Sequence, residues 1–151
     1  MPNTKLESVV FTLITAWIMV YFMTLYNTVL ARGIFVNSTF LLALKGMWFE
    51  FVVIFLCAFF VSSPLAKICA FRVADEQSRP IIKIFAVQIF TVVFQVMLAS
   101  IIGTAKGYGI TKNFIPDYLL TYCRNFLLAM PLQLFIAGPA ARFLFRLLFR
   151  R

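Results

Sequence analysis

The chain has no histidine, and only five of its 151 residues are acidic: Glu7, Glu50, Asp75, Glu76 and Asp117. The first absence excludes histidine metal sites, Ser-His-Asp triads and histidine proton relays. The second leaves little for carboxylate chemistry. Only Asp75 and Glu76 are adjacent, and two neighbouring loop acids read as a solvated turn rather than a di-carboxylate centre. Cysteine is scarce too. Cys57, Cys69 and Cys123 are an odd number without CxxC spacing, so neither a disulfide framework nor a zinc site is expected. Gly103, Gly107 and Gly109 follow an apolar run instead of a βαβ strand, and read as a membrane-exit loop rather than a nucleotide site. No metal, cofactor or catalytic residue is expected, and an enzyme is disfavoured.

Charged residues make up 13% of the chain and hydrophobic residues 63%. A soluble domain carries about 25% and about 45–50%. So few polar residues cannot cover a compact body of this size, and a disordered chain needs the opposite balance. The composition specifies an integral membrane protein. The net charge of +9 would suggest nucleic acid in a soluble domain. Here the basic residues sit at the ends of apolar runs, so the expected partners are membrane lipids with anionic headgroups, and nucleic acid is not expected.

A hydrocarbon core of about 30 Å takes about 20 helical residues. Four stretches qualify: Val9–Val29, Gly46–Ser63, Ile84–Ile102 and Tyr118–Ala137. None alternates with period two, which excludes a β-barrel. The fold expected is an all-α membrane bundle of four transmembrane helices. Lys5, Lys67, Arg72, Arg79, Lys83, Arg142, Arg146, Arg150 and Arg151 fall on the side of the termini and the central linker. Arg32, Lys45, Lys106, Lys112 and Arg124 fall on the other. The positive-inside rule then puts both termini in the cytoplasm of a bacterial inner membrane. Ser78 is the expected N-cap of the third helix, with Pro80 in its first turn. Residues 37–44 are expected as a short segment in the outer interface, capped by Asn37 or Ser38.

The chain resembles itself at an offset of about 75. At 76, Thr15, Val20, Thr28, Gly33, Ile34 and Asn37 fall on Thr91, Val96, Thr104, Gly109, Ile110 and Asn113. At 75, Phe51, Phe60, Pro64 and Ala66 fall on Phe126, Phe135, Pro139 and Ala141. Each copy has two spans, so the copies insert with the same orientation, as a parallel pair of helical hairpins. The units are residues 1–74, a linker at 75–80, and residues 81–151. Asn27, Gly33, Phe40, Trp48 and Pro64 resemble the pattern of a bacterial family of two-helix membrane units, domain-of-unknown-function family 2798. The second half departs from it, with Gly103 or Thr104 where Asn27 aligns and Cys123 where Trp48 aligns. The resemblance implies a small bacterial inner-membrane protein and carries no activity.

Within the spans, Glu50 and Arg124 stand out. Glu50 lies 14 residues before Pro64 and Arg124 lies 15 before Pro139, so both sit about 21–22 Å from the cytoplasmic edge. A lone charge in the core costs about 2.5–3.5 kcal/mol, which pairing would offset. The pair is either a static register bridge, with Arg124 alternatively snorkelling to headgroups, or a solute contact in which Glu50 serves as a protonatable carrier. Asn125 takes the place of Glu50 in the second copy. Gln88, Thr91 and Gln95 form one stripe on the third span, and Thr24, Asn27 and Thr28 another on the first. Both read as helix-to-helix hydrogen bonding or as a polar conduit. Gln133 belongs to the same question, with Pro131 expected to kink the fourth helix. At the C-terminus Arg142, Arg146 and Arg150 share a stripe, and the segment from Pro139 is expected to continue the fourth helix and bend into the inner interface. There these residues, with Arg151, Lys67 and Arg72, would contact headgroups.

The function expected is a transport or channel component for a small solute or ion, acting as a homo-oligomer. Its candidate contacts are Glu50, Arg124, Asn125, Gln88, Gln95 and Asn27. The alternative is a non-catalytic membrane scaffold that binds lipid or another membrane protein.

Overall fold

In the computed structural model, residues 5–74 and 77–149 are described; Asp75, Glu76, Arg150 and Arg151 lie outside them. Four apolar helices long enough to cross a bilayer follow one another: α1 (Lys5–Arg32), α2 (Asn37–Val73), α3 (Pro80–Gly107) and α4 (Phe114–Leu148). Tight turns join α1 to α2 and α3 to α4 at what we term the hairpin end. The other, terminal end holds the end of α2, the start of α3, and the first and last described residues, Lys5 and Phe149. Gly33 (φ 66°) and Gly109 (φ 73°) make the two hairpin turns. Both need the left-handed backbone that a side chain disfavours, and they are repeat equivalents at an offset of 76.

The packing is that of two hairpins related by an axis along the bundle. The hairpin-end half of α2 lies on α1, and the hairpin-end half of α4 lies on α3. The terminal-end half of α2 then crosses to α3, and that of α4 crosses to α1. The four helices therefore form a ring in the order α1, α2, α3, α4, with α1 opposite α3 and α2 opposite α4. The seams are made of small residues that let backbones approach closely, as helices in lipid require. Ala66 and its equivalent Ala141 are both fully buried. Met19, Val92, Val96 and Leu132 cluster where α1, α3 and α4 meet, and Val20 and Met47 are fully buried besides. Bulky side chains point outward instead. The repeat equivalents Phe60 and Phe135 are 68% and 79% exposed, a cost in water that lipid removes.

Both long helices widen at the same place. Ala58–Ser62 in α2 and Leu132–Ala137 in α4 are π-helical. The Ser63 amide reaches back to the Ala58 carbonyl, and the Gly138 amide to that of Gln133, five residues each and equivalent to one another. The next residue is proline in both, Pro64 and Pro139, which has no N–H and crowds the carbonyl four residues before it. An extra residue in the turn relieves that clash. Pro131 is not the cause, because the first repeat has Leu56 at that place and widens all the same.

Several local expectations need correction. Residues 37–44 are not a separate interfacial piece; they are the first two turns of α2. Its N-cap is Val36, whose backbone N–H donates to Thr39 Oγ1 at 3.3 Å, rather than Asn37 or Ser38. The N-cap before Pro80 is Arg79, one residue after Ser78. Gly103 and Gly107 lie inside α3, and only Gly109 is in the loop. The C-terminal segment does not bend away. It stays helical against α1, with Ala141 buried and the Phe145 ring set edge-on to Phe11 at 5.8 Å.

Candidate functional site

Towards the hairpin end a cavity of about 510 Å³ opens among the four helices. Asn27 of α1, Glu50 of α2, Gln95 and Lys106 of α3, and Arg124 and Asn125 of α4 all line it. Five of the six residues singled out from sequence thus come together in one place. The walls between them are apolar: Met19, Val20 and Met23 of α1, Ile54 of α2, and Val96 and Ile102 of α3. Such a space, mostly apolar with a few polar groups, is the ordinary form of a small-molecule site. Gln88 is the exception. It lies in the terminal-end half, against Gly138, where a Cβ on that glycine would collide with its amide nitrogen.

The polar groups are ordered by the repeat. In the first hairpin Thr24 Oγ1 donates to Glu50 Oε2 at 3.0 Å. At the equivalent positions of the second, Asn125 Nδ2 donates to Ser100 Oγ at 3.2 Å. One bond between neighbouring helices has been kept, while its acid became an amide. Thr28, Thr91, Thr104 and Thr121 instead satisfy their hydroxyls on the carbonyl one turn back in their own helices. The Gln-Thr stripe is therefore polar only at Gln88 and Gln95, both of which are buried.

Glu50 does pair with a cation, but not with Arg124. Lys106 Nζ stands 3.2 Å from Glu50 Oε1 and 4.8 Å from the centre of the Phe49 ring. Comparing backbone depths could not find this partner. Ser100 matches Thr24 in depth, and Lys106 lies six residues beyond it, about 9 Å nearer the hairpin end. Its four-carbon stem spans much of that difference, which a depth count ignores. The sequence signal was the basic residue in the last turn of α3, facing the aromatic residue next to Glu50.

Arg124 borders the cavity without a protein partner. Among the described residues it has neither an ion pair nor a side-chain hydrogen bond. A second polar group, unforeseen in its extent, lies nearer the terminal end. Ser62 Oγ, Gln88 Oε1 and Gln133 Oε1 are buried and lack hydrogen-bond partners among the described residues. All three belong to or pack near the widened turns, where proline has already removed a backbone donor.

Comparison with known proteins now places the chain. The profile of the family described as "Domain of unknown function (DUF2798)" matches residues 4–74 and again residues 82–149. The chain belongs to the DUF2798 family. The double match falls on the two hairpins and agrees with the duplicated turns, prolines and hydrogen bonds described above. The chain is also 32% identical over 149 residues to "Uncharacterized protein YybC" of Bacillus subtilis (strain 168), covering 96% of this chain and 92% of that protein. No solved structure matches it at a significant level.

Proposed function

We propose that this multi-pass membrane protein is a transport component that receives a small polar solute or ion in the hairpin-end cavity. One observation carries the reading: a bundle poor in polar side chains gathers a carboxylate, an ammonium, a guanidinium and three amides around one open space. Charges at this depth are costly, so their concentration on one cavity argues for a ligand pathway. Val92 and Leu132, packed against the wall residues Met19 and Val96, close it off on the terminal side. A solute therefore passes only if the helices shift or if copies of the chain associate, and we take the working form to be a homo-oligomer. Flux in liposomes tests the reading. Solute flux should fall for Asn27→Ala, an exposed residue, at unchanged melting temperature; no flux of any ion or small solute would favour the scaffold instead.

The same reading sets the protein in a bacterial inner membrane with the terminal end in the cytoplasm and the cavity facing out. Lys67, Arg72, Arg142 and Arg146 then lie at the inner leaflet, suited to anionic headgroups. In a background without the native cysteines, a cysteine at Lys112 should react with an impermeant maleimide from outside the cell. One at Ser78 should react only after permeabilisation; the opposite pattern would invert the topology.

A further inference from the structure

We infer that the cavity takes an oxyanion on an apolar body, a small organic acid whose carboxylate is held by Arg124. This rests on the reading of the cavity as a ligand site and adds the chemical class. The argument comes from the two slots that the repeat creates. In the slot between α2 and α3, position 49 is Phe, position 50 is Glu, and Lys106 reaches across from α3. The protein there supplies both charges, and the carboxylate has one oxygen on Lys106 and the other on Thr24.

In the slot between α4 and α1, the equivalents of Phe49, Glu50 and Lys106 are Arg124, Asn125 and Leu30. All three line the cavity. Asn125 is held by Ser100, as Glu50 is by Thr24. A cation is present in this slot, but the acid that would answer it has become an amide. A guanidinium stays protonated and offers a planar fork of donors matched to a carboxylate. The other two charges on the cavity already neutralise each other. The charge left for a ligand to answer is that of Arg124, and the ligand brings what the second repeat lost. Its body meets Met19, Val20, Met23 and Val96, which require an apolar surface.

A phospholipid headgroup offers the same oxyanion chemistry, so the test has two arms. The full chain in non-ionic detergent is titrated with benzoate, benzamide and benzylamine, and binding is followed by intrinsic fluorescence and melting temperature. The expected result is saturable binding of benzoate alone, weakened about tenfold or more by Arg124→Gln, the scale of a lost charge-assisted hydrogen bond. Asn125→Asp, which restores the missing acid, should weaken it as well. Among the described residues Arg124 has no partner to leave unsatisfied, so its variant should fold; Arg124→Lys, which keeps the charge but not the fork, serves as a second probe and should bind more weakly than the parent. In nanodiscs of phosphatidylcholine, benzoate binding should persist. If added phosphatidylglycerol abolishes it, the oxyanion is a lipid headgroup.

Equal binding of benzamide or benzylamine, unchanged binding by Arg124→Gln, or no saturable binding of benzoate overturns the inference. The transport reading falls separately. Benzoate that binds without any flux in liposomes keeps the ligand class and removes transport. A neutral or cationic solute that crosses while benzoate fails to bind does the reverse.

Discussion

Replacing Gly138 with alanine is expected to destabilise the bundle by about 1–3 kcal/mol, the range for forcing atoms into a packed core. A Cβ at this position would overlap the Gln88 side-chain amide and come within 2.7 Å of the Gln133 carbonyl oxygen. The first contact is with a side chain that can rotate. The second is with backbone, because that carbonyl accepts the Gly138 amide in the widened turn. The equivalent turn of the first repeat accepts a Cβ on Ser63 beside the Ala58 carbonyl, so the overlap particular to Gly138 is the one with Gln88. The repeat supplies the control. The equivalent of Gly138 is Ser63, which carries a Cβ, and the equivalent of Gln88 is Thr12, which is shorter. Ser63→Ala should therefore change stability by less than about 0.5 kcal/mol, as substitutions away from special features do. Gln88→Ala should recover part of the loss caused by Gly138→Ala, since it removes the mobile half of the overlap. Thermal melts in detergent, or unfolding in SDS, would read these variants. Equal stability of Gly138→Ala and the parent would mean that the glycine is not required for the approach of α3 to α4.

This contact was not legible in the sequence, for a definite reason. Gly138 and Gln88 are 50 residues apart on helices whose rotation the apolar pattern barely fixes, since lipid-facing and core-facing positions are alike hydrophobic. The elements that could be read were those for which length and punctuation suffice. The four spans follow from apolar runs of membrane length, and the hairpin turns from Gly33 and Gly109. The repeat follows from matches at the ends of spans, which hydrophobicity alone does not produce. What ran past expectation was helix length. α2 continues through Pro64, which read as the end of its span, because a π turn absorbs the proline; the continuation of α4 through Pro139 was expected, its π turn was not. The candidate site was legible as a set of residues, because polar groups are rare enough in these spans to be noticed one by one. Their pairing was not. Backbone depth brings Glu50 and Arg124 level, yet level residues at opposite corners need not touch, and a long lysine from a neighbouring helix arrives first.

That pairing gives the second large effect. Glu50→Gln is expected to cost about 1–3 kcal/mol, the range for leaving one partner of a polar contact unsatisfied. The full penalty of a broken buried pair, about 3–5 kcal/mol, does not apply. The Lys106 and Glu50 side chains keep 49% and 30% of their exposure. Two consequences separate this pair from the one expected by depth. Lys106→Met alone should also destabilise, because it leaves the carboxylate with Thr24 as its remaining partner. Glu50→Gln with Lys106→Met should recover part of the combined loss, for a coupling energy on the order of 1 kcal/mol. Glu50→Gln with Arg124→Gln should add within about 0.5 kcal/mol, since the two side chains share no partner. The outcome also bears on function. A strong Glu50–Lys106 coupling means that the cavity's negative group is already spoken for, and that Arg124 is the charge free to meet a solute. A coupling between Glu50 and Arg124 larger than that with Lys106 would move the ion pair across the cavity and leave Lys106 to meet the solute in its place.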